Sequence, residues 1–370
     1  MSVQFIGMIQ SRKVSEIHPA QGPAVDRDYV KAFAQAHEQA GFDRILVPLG
    51  STSVDPVITV AYAASVTERI HFMLAHRPGF IAPTVAARQL ATLDQFTGGR
   101  LAVHFISGGS DAEQRRDGDY LDHDARYERT DEYLDVLRRV WTAERPFDHA
   151  GKHYRVENAW SEVKPAQQSG IPVFFGGASE AALRVAGKHA DIYALWGESL
   201  AQVREVVARV RAEAASHGRT VRFSLSLRPI LAATEDEAWA RADRILEQTR
   251  AFRRQDTAGQ AQGYNAGGPQ QSVGAQRLLA AAGDGVRTDK RLWTAIAREI
   301  GGRSNSTALV GTPAQVAESL LDYYDAGVDT FLIRGFDPLE DATDYGRALI
   351  PLTRQLVAER QAQAATRRAA

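Results

Sequence analysis

Residues Val173 to Ala186 read VFFGGASEAALRVA: a short apolar run, two glycines, a small residue and a serine, then a helical pattern. Gly176 and Gly177 let the backbone turn sharply and approach a ligand closely. Ser179 and Glu180 open a helix whose first N–H groups lack intrahelical partners, and such an end attracts anions. The chemistry this points to is a phosphate cradle. An ordinary strand-to-helix turn would use the same residue types, so the weight of the motif depends on the elements around it.

Those elements repeat. QFIGMI, RILVPL, IHFMLA, LAVHFI, IPVFFG, IYALWG, VRFSLSLRPIL and TFLIRG are apolar or β-branched runs, and each leads to a segment of helical period. Eight strand–helix pairs in 370 residues predict an α/β fold, a closed (β/α)8 TIM barrel, over residues 1–360 as one domain. Three insertions are expected, at about 107–125, 146–168 and 235–306. The second reads as a surface hairpin with Gly151 at its turn. Within the third, Thr257–Gly274 is rich in Gly, Gln and Ala and reads as a mobile lid after strand seven. Residues 361–370 read as a disordered tail.

In such a barrel the residues just after each strand form the working face. Here they are Gln10, Ser11 and Arg12, then Gly50–Asp55, His76 and Arg77, Ser107–Ser110, the glycine turn, Trp196, Arg228, and finally Arg334 and Phe336. This rim is rich in cations, hydroxyls and aromatics, with Asp55 as its one early carboxylate. That mixture suits an anionic substrate beside a flat, phosphate-bearing cofactor.

Composition narrows the chemistry further. With 44 Lys and Arg against 45 Asp and Glu, the net charge of −1 gives no electrostatic support for nucleic-acid or membrane-surface binding. Cysteine is absent, so disulfides, thiolate metal sites and a thiol nucleophile are excluded. No H-E-x-x-H, G-x-S-x-G, Walker A or G-x-G-x-x-G pattern occurs, and His149 and His153 straddle a turn; no metal is expected. With no leader and no apolar run of membrane-spanning length, a cytoplasmic location is expected. A bound cofactor is then the natural source of the difficult step.

Several long motifs carry a family resemblance. AHRPGFIAPTVAARQLATLDQFTGGRLAVHFISGGS, RRDGDYLDHDARYERTDEYL, FFGGASEAA, YALWGE and STALVGTPAQVAESLLDYYDAGVDTFLIRGF strongly resemble the bacterial luciferase-like, flavin-dependent monooxygenases. The nearest branch is similar to the alkanesulfonate monooxygenases. The resemblance implies a (β/α)8 barrel, FMN used as FMNH2, an NAD(P)H-dependent FMN reductase as partner, and a homodimer or homotetramer. The implied chemistry is O2-dependent oxygenation of a small anionic organosulfur substrate, an alkanesulfonate being converted to sulfite and aldehyde.

By the same resemblance, Tyr127 and Ser179 hold the FMN phosphate, with Gly177 and Ala178 as backbone donors. Ser107, Gly108 and His76 line the ribityl chain and ring, and Trp196 lines the substrate pocket. Alkanesulfonate enzymes commonly carry a cysteine at Ser53, a histidine near Ser11, an arginine at Ser226, a histidine at Arg228 and a tyrosine at Phe336. Arg228 keeps one cation in strand seven, two residues along and on the same face, and Arg298 and Arg303 compete for the lid arginine. The departures admit a second substrate class of the same flavin mechanism, a sulfone, amine or ketone, and also a non-catalytic FMN-binding relative.

Overall fold

The computed structural model describes residues 2–255, 272–283, 287–302 and 307–369. Its strands are β1 (Gln4–Met8), β2 (Arg44–Val47), β3 (His71–His76), β4 (Leu101–Phe105), β5 (Phe147–Ala150), β6 (Arg155–Ala159), β7 (Val173–Gly176), β8 (Ile192–Leu195), β9 (Arg222–Leu231), β10 (Arg287–Thr288), β11 (Leu292–Trp293), β12 (Ala308–Gly311) and β13 (Thr330–Ile333). Eight of them follow one another as β13, β1, β2, β3, β4, β7, β8 and β9, and the ring closes where β9 pairs with β13. This is the expected (β/α)8 barrel. Val, Ile, Leu and Phe dominate these strands because helices cover the outer face and side chains fill the interior, leaving few positions in water.

The chain packs as two compact units, residues 46–193 with 209–221, and residues 1–45, 194–208 and 222–370. In the first, β3, β4 and β7 lie parallel in register, His76 beside Phe105 and Phe105 beside Phe175. The helix His123–Thr142 covers that face, Tyr133 packing on His76 and Tyr127 on Phe175. Within the expected insertions, Asp111–Arg116 is a short helix, and β5–β6 form the expected antiparallel hairpin. Gly151 stands in its turn, where a Cβ would fall 1.9 Å from Glu132 Oε1. The Glu132 carboxylate accepts from the His153 and Tyr154 amides and contacts His149 Nε2 at 2.9 Å, tying the hairpin to the long helix.

In the second unit β9 is ten residues long. Its first half pairs with β13 and its second half with β12, which continues through β11 to β10. The β10–β12 extension was not expected: β10 and β11 are two residues each, too short to show an alternation, and β12 directly follows the span read as an insertion. Nor is the span from Glu235 wholly an insertion. The helix Glu235–Gln255 buries Ala238, Ala242 and Ile245 against Ile230, Val310 and Phe336, so it is the core helix that follows strand seven. Of the lid segment Thr257–Gly274, residues 257–271 lie outside the described residues, as does Arg303. Val273 and Gly274 begin the helix Val273–Gly283. The stretch from Gln361, expected to be a disordered tail, continues the last helix, Ile350–Ala369.

Candidate functional site

At the end of β7 the glycine turn has the form its residues imply. Gly177 holds φ +132°, outside the range L side chains adopt readily, and a Cβ there would lie 2.7 Å from the Tyr127 hydroxyl. Ser179 caps the ten-residue helix Glu180–His189, its side chain accepting from the Ala182 amide at 3.2 Å. Tyr127, one turn into the helix capped by Asp122, reaches the same point and hydrogen-bonds the Ser179 side chain. Burial raises the Tyr127 pKa, so its hydroxyl keeps its proton. Tyr193 donates to the Gly177 carbonyl and holds the turn from the far side. A left-handed glycine, two adjoining hydroxyls and a helix start fit a phosphate monoester.

After β4, Ser107 lies buried with its hydroxyl 2.9 Å from Thr130 Oγ1, and Thr130 donates to the Arg126 carbonyl. The Thr130 proton is thereby committed, so Ser107 is the donor of the pair and retains lone pairs for a ligand. Gly108 has φ +93°, and a Cβ would meet the Gln114 carboxamide at 2.3 Å. That carboxamide is fully buried, and neither its nitrogen nor its oxygen has a partner among the described residues. The Ser107–Gly108 turn thus carries an unmet hydrogen-bonding demand, as a polar ligand site would.

Other expected residues are committed elsewhere. His76 lies on the face of the sheet covered by the long helix, its Nε2 2.7 Å from the Tyr133 hydroxyl. Burial lowers its pKa to about 4, so it is neutral. Arg77 is buried, with Glu113 at 2.9 Å, Asp117 at 3.4 Å and the Ser51 hydroxyl at 3.3 Å. Ser53 is exposed and closes a local turn onto the Gly50 amide and carbonyl. Asp131, Asp135 and His189 converge in a metal-ligand arrangement, yet the Lys188 ammonium, 3.0 Å and 2.7 Å from the two carboxylates, already supplies their cation.

In the other unit the expectation for Arg228 needs correction. It was expected as a cation of the rim, open to an anionic substrate. Instead Arg228 is 1% exposed and forms an ion pair with Glu16 at 2.6 Å. Its Nη2 donates to the Gly335 carbonyl at 2.7 Å, and the guanidinium lies 3.6 Å over the Phe336 ring. Arg334 reaches the same carboxylate at 3.8 Å. Burial alone would raise the Glu16 pKa, but Arg228 and Arg334 outweigh it and bring it down to about 2. Trp196 is half-buried, and the N-terminal turn of Val273–Gly283 lies on its indole at Gly274. Arg298 shares none of Arg228's partners. It bonds the Ala282 carbonyl and lines a cavity of about 330 Å³ with Asp243, Arg250 and Trp293.

Residues 3–330 match the family described as luciferase-like monooxygenase. The chain belongs to the luciferase-like monooxygenase family. Among solved structures, the luciferase-like chain resembles a riboflavin lyase holding modified FMN and riboflavin at 18% identity and TM-score 0.78, covering 96% of this chain and 92% of that one. An EDTA monooxygenase from Chelativorans sp. BNC1 follows at 20% and 0.75, with coverage of 96% and 94%. A long-chain alkane monooxygenase stands at 19% and 0.74, with coverage of 95% and 91%. At these identities the likeness is one of fold.

Three residues of this luciferase-like monooxygenase escaped the sequence reading. Thr130 and Gln114 lie on helices, with no motif to mark them as partners of the Ser107–Gly108 turn. Glu16 sits in the long segment after β1, which on a barrel lies on the working face, so its position was readable although its pairing with Arg228 was not.

Proposed function

We propose that this luciferase-like monooxygenase uses FMN, received as FMNH2 from an NAD(P)H-dependent FMN reductase, to oxygenate a small organosulfur substrate with O2. The observation that carries the flavin reading is the convergence of Tyr127, Ser179 and the left-handed Gly177 at a helix start. Gly177 and Ala178 would offer backbone N–H groups to the phosphate, and the two hydroxyls would donate to its oxygens. Ser107 and Gly108 would line the ribityl chain, with Trp196 walling the substrate side. Reduced flavin would supply the electrons that activate O2, one oxygen atom passing to substrate and the other leaving as water. The protein's own part is to bind, orient and exclude water.

Family membership supports a monooxygenase, and similar folds are found with FMN, as in a 3,6-diketocamphane monooxygenase complex. A cytoplasmic homodimer or homotetramer belongs to the same proposal. The deciding experiment supplies reductase, NAD(P)H and FMN to the purified protein and follows O2 consumption and sulfite release over a panel of sulfonates, sulfones, amines and ketones. Substrate-dependent oxygenation supports the reading. Flavin binding without turnover on any class would leave a non-catalytic FMN-binding protein.

A further inference from the structure

We propose that Glu16 is the resident occupant of an anion site built by Arg228 and Arg334, and that it turns this chain toward substrates bearing no anionic head group there. The substrate clause rests on the monooxygenase reading; the anion site does not. Two guanidiniums, Arg228 within β9 where its pairing passes from β13 to β12 and Arg334 just after β13, address one carboxylate, at 2.6 Å and 3.8 Å. The Arg228 side chain is 1% exposed, enclosed by Glu16, the Gly335 carbonyl and the Phe336 ring. A sulfonate or carboxylate on a substrate could reach this guanidinium only by displacing a carboxylate that is already desolvated and paired. A second anion entering beside the Glu16 carboxylate would meet its repulsion at short range and would lose its own hydration as well. Of the classes the residues admit, a sulfone, amine or ketone therefore fits this arrangement, and an alkanesulfonate does not.

Removing the occupant should open the site. Thermal denaturation and calorimetric titration of the full-length protein with sodium methanesulfonate, against sodium chloride at matched ionic strength, measure this without flavin. The wild type should show no saturable methanesulfonate effect. Glu16→Gln, which keeps the side-chain volume, should bind methanesulfonate at least tenfold more tightly than the wild type, and Glu16→Ala should be stabilised saturably by the same anion. Adding Arg228→Met to either variant should abolish the gain.

Saturable binding to the wild type would overturn the proposal outright, whether or not the variants fold. So would folded Glu16 variants that gain no methanesulfonate affinity. Failure of the flavin reading would show separately, as a wild type that does not bind FMN in a fluorescence titration.

Discussion

Tyr127 and Ser179 each bring one hydroxyl to the glycine turn, and a hydrogen bond to a charged acceptor contributes about 1.5–3 kcal/mol. Tyr127→Phe and Ser179→Ala should therefore each weaken FMN binding about tenfold or more, as read by fluorescence quenching. Unchanged affinity in both would move the phosphate elsewhere. Arg228 makes a different prediction from the one its type suggests. Arg228→Met would leave Glu16 charged, mostly buried and without its nearest partner, and breaking one side of a buried pair costs about 3–5 kcal/mol. A large fall in denaturant midpoint is expected, together with partial recovery in Glu16→Gln/Arg228→Met. A variant as stable as the wild type would mean that water or Arg334 satisfies the carboxylate.

At the scale of elements, side chains from the helix His123–Thr142 organise what surrounds them. Tyr127 reaches the glycine turn, Thr130 accepts the hydrogen bond of the Ser107 hydroxyl, and Glu132 ties down the β5–β6 hairpin. Glu132 is the clearest to test, because two backbone amides and His149 depend on its carboxylate. Its burial raises its pKa, but the hydrogen bonds from His149, His153 and Tyr154 outweigh this and lower it. Glu132→Ala should speed amide exchange through residues 147–159 while leaving β3, β4 and β7 protected, and it should cost about 1–3 kcal/mol for the donors left unpaired. Uniform exchange across hairpin and barrel strands would show that the hairpin does not open on its own. Gly177→Ala should disrupt the turn itself, since both its φ and the 2.7 Å approach of the Tyr127 hydroxyl exclude a methyl group. Loss of FMN binding beyond that of Tyr127→Phe is the expected result.

Across the molecule, pH should act through groups whose burial opposes charge. His37, His76 and His104 all have pKa values brought down to about 4 by burial. The unfolded chain binds these protons near 6.5, so stability is complete above that pH and falls progressively as pH drops toward 4. Glu16 acts lower. With a folded pKa of about 2 against an ordinary 4.5, its contribution is present above 4.5 and is lost between there and 2. The Tm should therefore decline between pH 6.5 and 4, before most carboxylates titrate. A Tm that stays flat to pH 5 would show that these imidazoles protonate without unfolding the chain.

The alternation of apolar runs with helical segments determined eight strands and their order, because strand preference and period are properties of a few consecutive residues. The glycine turn with Ser179 was legible for the same reason: capping and left-handed φ are local requirements. The β10–β12 extension was not, since β10 and β11 are two residues each and carry no period, and the helix from Glu235 reads as part of an insertion although it packs in the core. Least legible was the state of the charges. Arg228, Arg77 and His76 were readable as polar groups at strand ends, yet whether each faces a ligand, a carboxylate or a helix depends on which distant segment folds over it. The segment after β1 brings Glu16 to Arg228, and the helix Asp111–Arg116 brings Glu113 to Arg77. No local pattern encodes such pairings, because they arise when the strands close into a barrel and the segments above them settle, which only the tertiary structure decides.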